Sequence, residues 1–133
     1  MQEAVSWQKV LLCARSALDK KAYDLVVLDV SHLTTIGDFF LICTGRSDTQ
    51  VQSICRGIEE MVSKERLAAP ALEGFTHGQW VLMDLGEVIV HIFYQPVRSL
   101  YDLERLWFQA RRCDLPEPYH SQAEHLRTGT AAH

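Results

Sequence analysis

The sequence lacks the features that mark several large classes of protein. No apolar run approaches the roughly 18 residues that cross a bilayer. The chain has no CxxC pair, no HxxxH pair and no GxSxG elbow. Its N-terminal segment has no basic region followed by an apolar one, and the early Glu3 and sparse arginine disfavour a transit peptide. These absences argue against a membrane protein and predict a protein that stays in the cytoplasm.

Basic residues are also few. Thirteen Lys and Arg stand against seventeen Asp and Glu, for a formal net charge of −4. Proteins that bind nucleic acid through phosphates need a basic patch or stripe, and none is visible in the sequence. We therefore expect no direct, specific nucleic-acid binding, and a basic protein or a small molecule as the partner.

The cysteines and histidines show no spacing typical of a metal or redox site. Three of the four cysteines lie among apolar neighbours, which indicates small reduced core residues. The six histidines include no HxxxH pair and no histidine beside a cysteine pair. His91, within an apolar run, has the side chain of a metal ligand, but a lone histidine on a strand is far more often structural. The sequence predicts no metal and no cofactor.

The 133 residues are enough for one domain, and an apolar fraction of 47% is ordinary for a globular protein. Apolar spacing and turn residues predict alternating helices and strands. Ser47 and Gln50 match a capping box at the start of the most regular helix. The predicted elements are a helix at 3–21, strands at 23–31 and 37–45, a helix at 47–67, a hairpin at 78–95 and an amphipathic helix at 97–112.

This order predicts an α/β fold, close to α+β, in which helices pack on a mixed sheet within a single domain. The domain is expected to cover residues 1–112. Residues 113–133 have two prolines and no periodic apolar face, and are predicted to be a flexible or loosely docked tail.

The hairpin GQWVLMDLGEVIVHIFYQ carries unusual polar and amphipathic groups, and its turn is centred on Leu85 and Gly86. Strand alternation places Trp80 and Asp84 on one face, and Val81 and Met83 on the other. An aromatic residue surrounded by acids is typical of a surface that binds a basic partner. The ordinary alternative is that the acids are solvated and the aromatics belong to the core.

A second stretch, LICTGRSDTQ, suggests phosphate chemistry. A strand, a glycine and a helix start would present backbone N–H groups to an anion at the Gly45–Ser47 turn. Nucleotidyl transfer also needs paired carboxylates on a neighbouring strand to hold Mg²⁺. Neither Asp29 nor Asp84 is part of such a pair. A nucleotide-binding enzyme is therefore the alternative function, and capping of the helix explains the turn.

Three blocks in order, DVSHLTTIGDFFLICTGRSDTQVQSI, EGFTHGQWVLMDLGEVIVHIF and RSLYDLERLW, closely resemble the Iojap-like family, also called ribosomal silencing factor S. The resemblance runs from about Leu25 to Trp107. It implies a fold like that of nucleotidyltransferases without the catalytic acids, and therefore a protein that is not an enzyme.

The same resemblance implies a partner. It implies binding to the large ribosomal subunit through its L-fourteen protein, which blocks joining of the small subunit and represses translation when nutrients are short. Large-subunit maturation and a homodimer are also associated with the family. The hairpin is the implied binding region, and the residues predicted to bind the partner are Trp80, Val81, Met83, Asp84, His91 and Asp102.

Overall fold

The computed structural model describes residues 2–117 and residue 119 of the chain. Within this part, helices and strands alternate in the order that the sequence predicts, with short additional elements. The helices are α1 (Gln2–Asp19), α2 (Asp48–Lys64), α3 (Gln95–Tyr101) and α4 (Leu103–Leu106). The strands are β1 (Tyr23–Asp29), β2 (Phe39–Gly45), β3 (Ala71–Glu73), β4 (Trp80–Asp84), β5 (Val88–Tyr94) and β6 (Arg111–Cys113).

Helix α2 begins where the capping pattern predicts. The hydroxyl of Ser47 accepts the Gln50 backbone N–H at 3.1 Å. The Gln50 side chain accepts the Arg46 N–H at 2.6 Å and donates to the carbonyl oxygens of Lys20 and Lys21. The start of α2 is thereby fastened to the end of α1.

The six strands form one mixed sheet in the order β3-β4-β5-β2-β1-β6. Strands β2 and β5 pair in parallel, from Phe39 beside Val88 to Gly45 beside Tyr94. All other neighbouring strands are antiparallel. The prediction of a mixed sheet with packed helices in a single α/β domain is confirmed.

The sheet separates two hydrophobic clusters. Helices α1 and α2 cover one face, where side chains such as Leu41, Cys43 and Ile92 are fully buried. On the other face, Phe40, Ile42, Ile89 and Phe93 lie under the shorter α3 and α4, where Leu103 is the buried helical residue. The second face has the thinner cover, and this difference decides where a binding surface is available.

The single amphipathic helix predicted at 97–112 is wrong. Asp102 has a left-handed φ of 47°, which ends α3 and starts the four-residue α4. After the break, Leu100 is exposed to solvent, while Leu103 is buried and Trp107 packs edge-on against Phe40 with ring centroids 5.1 Å apart.

The short edge strands also differ from the prediction. Residues 71–73, predicted as loop, form β3 and cover the outer edge of β4, so the hairpin is an interior part of the sheet.

The predicted domain boundary at 113 falls inside β6, and Leu115 beyond it is buried. Residues 118 and 120–133 of the predicted tail lie outside the described residues. None of the helices in the described part combines the length and hydropathy that a bilayer crossing requires.

Candidate partner-binding surface

The six residues predicted to bind a partner occupy different environments. Val81 and Met83 have 0% exposure and pack beneath the α1–α2 layer, so their side chains are unable to contact a partner in the folded protein. Both are corrected here to core residues. The reason is strand alternation, because odd positions of β4 point to the more deeply covered face of the sheet. Asp84 and Asp102 are exposed, and Trp80 is half-buried.

Trp80 lies between aromatic rings on the thinly covered face. Its indole stacks on Phe93 and contacts Tyr101, and both centroid separations are 4.9 Å. Phe93 is fully buried, whereas Tyr101 at the end of α3 is exposed. Trp80 therefore joins the core to the protein surface.

His91 is interior rather than a contact residue, with 4% of its surface exposed. Its Nδ1 accepts the indole N–H of Trp80 at 3.1 Å, and its ring lies edge-on to Phe40. Burial lowers the pKa of His91 to about 4, because the charged form is poorly solvated among apolar side chains. His91 is therefore neutral near pH 7, and it reaches the surface only through Trp80.

The segment from Leu100 to Phe108 leaves large apolar side chains in solvent. Leu100 is 78% exposed, Tyr101 56%, Leu106 73% and Phe108 77%. Together with Trp80 these four residues form what we call the apolar surface. The Tyr101 ring contacts that of Trp80, and exposed apolar side chains that adjoin in this way are typical of interaction sites. The apolar surface is the candidate functional site.

The acids of the hairpin have local roles at the opposite end of β4. Asp84 accepts the Gly86 N–H at 2.9 Å and so fixes the turn. Glu87 pairs with Lys9 of α1 at 2.6 Å, and this hydrogen bond holds the pKa of Glu87 below its usual value. Since the turn is at the far end of the strand from Trp80, these acids are not part of the apolar surface.

A cleft of about 560 Å³ lies beside α3, and Asp102 lines it together with Arg98. The guanidinium of Arg98 donates hydrogen bonds within the protein, to the Asp24 carbonyl, the Thr44 hydroxyl and the Glu104 carboxylate. The cleft is therefore held in shape by internal bonds, and Arg98 acts as a structural cross-link.

Several backbone donors at the Gly45–Ser47 turn and the start of α2, on which the alternative function depends, are occupied. The N–H groups of Arg46, Thr49 and Gln50 bond to the side chains of Gln50, Asp48 and Ser47 respectively. The Asp48 carboxylate would also repel a phosphate at this position. Capping of α2 explains the turn in full.

Reactive and metal-binding side chains are not assembled elsewhere in the described residues. No three His, Cys, Asp or Glu side chains among them are grouped so as to hold a metal ion. Burial raises the pKa of both the Cys13 and the Cys43 thiols to about 12, so these thiols stay protonated and unreactive near pH 7.

Comparison with known proteins identifies the family. Residues 3–133 match the RsfS family, described as "Ribosomal silencing factor during starvation". The chain belongs to the RsfS family. It is 42% identical over 104 residues to the ribosomal silencing factor RsfS of Bacillus subtilis, a match covering 78% of this chain and 88% of the relative. It is 33% identical over 109 residues to the chloroplastic protein Iojap of Arabidopsis thaliana, a match that covers 82% of this chain and 45% of that protein.

Solved structures agree with this assignment. A crystal structure from Bacillus halodurans superposes with a TM-score of 0.72 at 36% identity, covering 86% of this chain and all of that one. A second, from Chromobacterium violaceum, gives a TM-score of 0.71 at 32% identity and covers 83% and 89% of the two chains. The resemblance to the Iojap-like family is confirmed, and with it the assignment of this RsfS member to ribosome-related regulation of translation.

Sequence reasoning missed most of the apolar surface of this RsfS member. Leu100, Tyr101, Leu106 and Phe108 were not among the predicted binding residues, although six of the nine residues from 100 to 108 are aromatic or leucine. A helix one or two turns long buries only one stripe of its side chains. Six aromatic or leucine residues in nine are more than one such stripe can bury. That excess is the signal in the sequence that indicates exposed apolar groups.

Proposed function

We propose that this protein binds the large ribosomal subunit through its L-fourteen protein, prevents the small subunit from joining and thereby represses translation when nutrients are limited. The observation that carries the proposal is the apolar surface centred on Trp80 and Tyr101. Family membership supports it, since the bacterial relatives are named ribosomal silencing factors. The site of action would be the cytoplasm.

The composition of the apolar surface fits a protein partner. Tryptophan and tyrosine are enriched among the few residues that supply most binding energy at interfaces. Here Tyr101 is exposed, and Trp80 is braced from behind by the buried Phe93. Braced aromatic side chains lose little conformational entropy on binding, because they are already ordered.

Charge directs the choice of partner toward protein rather than RNA. A chain with a net charge of −4 is repelled by the phosphates that cover most of a ribosome. Asp102 is exposed between α3 and α4, next to Tyr101 in sequence, where it favours a basic patch on the partner. Such complementarity mainly accelerates association, and it weakens as salt rises.

The proposed action needs no catalysis. A domain of this length has a radius of gyration of about 14 Å, so a bound copy keeps two surfaces apart that must touch. The occupied N–H groups of Arg46, Thr49 and Gln50 support an occluding role over nucleotidyl transfer.

Sedimentation of the protein with isolated large subunits, followed by addition of small subunits, tests the proposal. We expect the protein to pellet with large subunits and to reduce the fraction of joined ribosomes. Tyr101→Ala should bind about tenfold more weakly, as expected for truncation of a central interface aromatic. Joined ribosomes at an undiminished level with saturating wild-type protein would refute the proposal.

A matched control is available on the other side of the sheet. Val5 is 61% exposed on α1, which packs on the opposite face, so Val5→Ala removes exposed apolar area without altering the apolar surface. We expect Val5→Ala to bind like the wild type. Equal losses for Val5→Ala and Tyr101→Ala would show that the apolar surface has no special role.

A further inference from the structure

His91 combines two features that seldom occur together in a protein core. It is 4% exposed, and its Nε2 atom has no hydrogen-bond partner among the described residues. A buried polar atom without a partner reduces stability, so its presence calls for an explanation. The surrounding side chains, among them Phe40, Ile89 and Phe93, are apolar and would pack well against an apolar residue at this position.

The bond on the other ring nitrogen explains the histidine. The indole N–H of Trp80 is a donor only, so Nδ1 of His91 must be the unprotonated acceptor at 3.1 Å. The proton of the neutral ring then lies on Nε2. The buried N–H on Nε2 is therefore left without a partner among the described residues. The other ring nitrogen, Nδ1, holds the indole of Trp80 by its N–H.

This hydrogen bond adds a direction that the ring contacts of Trp80 do not supply. Phe93 and Tyr101 each contact the indole at a centroid distance of 4.9 Å, but stacked rings slide and rotate at little cost. A directional N–H···N bond favours the χ1 and χ2 torsions of Trp80 that point the indole N–H at Nδ1 of His91. Without the acceptor, the half-buried indole would turn its N–H toward water and away from Tyr101.

We propose that His91 is a positioning residue for partner binding: it is a buried acceptor that locks Trp80 in the orientation in which the apolar surface is complete. The inference rests on the proposed function, since it assigns His91 a role in building that surface. It replaces the expectation that His91 contacts the partner itself. His91 acts through Trp80, and its own side chain stays in the core.

The proposal predicts opposite effects on stability and on binding. In His91→Leu the unpaired Nε2 is gone and apolar packing is kept, so the midpoint of urea unfolding should stay unchanged or rise. Binding to isolated large subunits should weaken about fivefold to tenfold, the amount that corresponds to one hydrogen bond. A purely structural histidine would give the reverse pattern, with lower stability and unchanged affinity of the folded fraction.

Two further variants distinguish the effect of the hydrogen-bond acceptor on binding from the effect of side-chain shape. In His91→Asn the amide oxygen stands close to the position of Nδ1, so this variant should recover most of the affinity that His91→Leu loses. Ile89→Val trims a buried side chain on the same face of β5 without touching the Trp80 bond, and should bind like the wild type. Equal affinities of the His91→Leu and wild-type proteins would overturn the proposal, as would a failure of His91→Asn to bind better than His91→Leu.

A spectroscopic test needs no ribosome. Long-range ¹H–¹⁵N spectra of the wild-type protein should show His91 as the neutral ring with its proton on Nε2. The Trp80 indole N–H, assigned by its absence in Trp80→Phe, should exchange slowly with solvent and should lose this protection in His91→Leu. A proton on Nδ1, or fast exchange of the wild-type indole N–H, would overturn the inference even if His91→Leu failed to fold.

The proposed function and the proposed role of His91 would be refuted by different results. If wild-type protein does not bind large subunits while the Nε2–H form and the protected indole are observed, the proposed function fails and the positioning of Trp80 stands as a structural fact. If the wild-type protein binds large subunits but the spectra contradict the Trp80–His91 hydrogen bond, the proposed role of His91 is wrong and the proposed function remains.

Discussion

Arg98 and Glu104 face each other across the break between helices α3 and α4, with both Nε and one terminal nitrogen of the guanidinium 3.2 Å from the carboxylate oxygens. This fork spans the break that the left-handed Asp102 introduces between the two helices. Arg98 donates in addition to the Asp24 carbonyl at 2.5 Å and the Thr44 hydroxyl at 2.6 Å. One side chain thus ties the segment that carries the apolar surface to two strands of the sheet.

Arg98→Lys should lower the free energy of unfolding by about 1–3 kcal/mol, because an ammonium group does not reproduce the planar fork and leaves buried acceptors unpaired. Urea denaturation followed by circular dichroism measures the change. Arg105→Lys, at an exposed neighbouring position, is the control and should alter stability by less than about 0.5 kcal/mol. A loss of the same size in both variants would show that the cross-link has no specific effect.

Stability should fall as the pH drops from 6.5 to about 4, and His91 is the cause. The folded state holds this ring neutral, whereas the unfolded chain takes up a proton with an ordinary pKa of 6.5, so acid favours unfolding in this window. The loss approaches 1.4 kcal/mol per pH unit, or about 3 kcal/mol in all. His91→Leu should flatten the curve of unfolding free energy against pH between 6.5 and 4.

At lower pH, the loss of folding stability is due to a different residue, Glu87. Lys9 holds the pKa of Glu87 below the ordinary 4.5, so the stability that Glu87 contributes is complete above pH 4.5 and is lost as the pH falls through its lowered pKa. Glu87→Gln should leave the slope between pH 6.5 and 4.5 intact. Loss of that slope in Glu87→Gln would contradict the assignment to His91.

Much of the fold could be predicted from the sequence because its signals are local. Helix α2 has a cap at Ser47 and an apolar face that repeats every three or four residues, and both are properties of neighbouring side chains. The hairpin of β4 and β5 has strand alternation and a glycine turn with φ 88° at Gly86. Periodicity places Val81 and Met83 together on one face, and the sequence alone does not say which face the helices cover.

The parts that could not be predicted depend on tertiary contacts. Strands β3 and β6 are three residues long and are strands only because β4 and β1 offer free edges. The break at Asp102 is stabilised by Arg98, whose partners Asp24 and Thr44 lie 74 and 54 residues away in sequence. The break decides which leucines face solvent. The candidate site could therefore be identified from the structure but not from the sequence pattern.

The backbone at Asp102 gives a direct test of this break. A left-handed φ of 47° is costly for a residue with a side chain and costs nothing for glycine. Asp102→Ala and Asp102→Gly both remove the carboxylate, so their comparison isolates the backbone. Asp102→Gly should be more stable than Asp102→Ala by about 1 kcal/mol in chemical denaturation. Equal stabilities would indicate that α3 and α4 merge into one helix once the aspartate is gone.

Nucleotides should not bind at the Gly45–Ser47 turn, because the N–H groups of Arg46, Thr49 and Gln50 are already bonded to side chains of the turn and of the start of α2. Isothermal titration calorimetry with ATP or CTP in the presence of Mg²⁺ should give only heats of dilution. Ser47→Ala offers a further check, since it should cost about 1 kcal/mol of stability through loss of the helix cap. Saturable heat with either nucleotide in the wild type, abolished in Ser47→Ala, would instead support the enzymatic alternative.

Self-association, where it occurs, should use the apolar surface rather than a strand edge. The hairpin is flanked by β2 and, along residues 82–84, by β3, so little of its edge is free, whereas Trp80 and the exposed Tyr101 provide apolar area for a second copy. Light scattering across a concentration series should show a mass above 15.2 kDa that returns to the monomer in Tyr101→Ala and stays unchanged in Val5→Ala. Because both contacts would then share one surface, bound large subunits should dissociate the dimer. A dimer that persists in Tyr101→Ala, or one that remains intact on the ribosome, would place self-association elsewhere on the molecule.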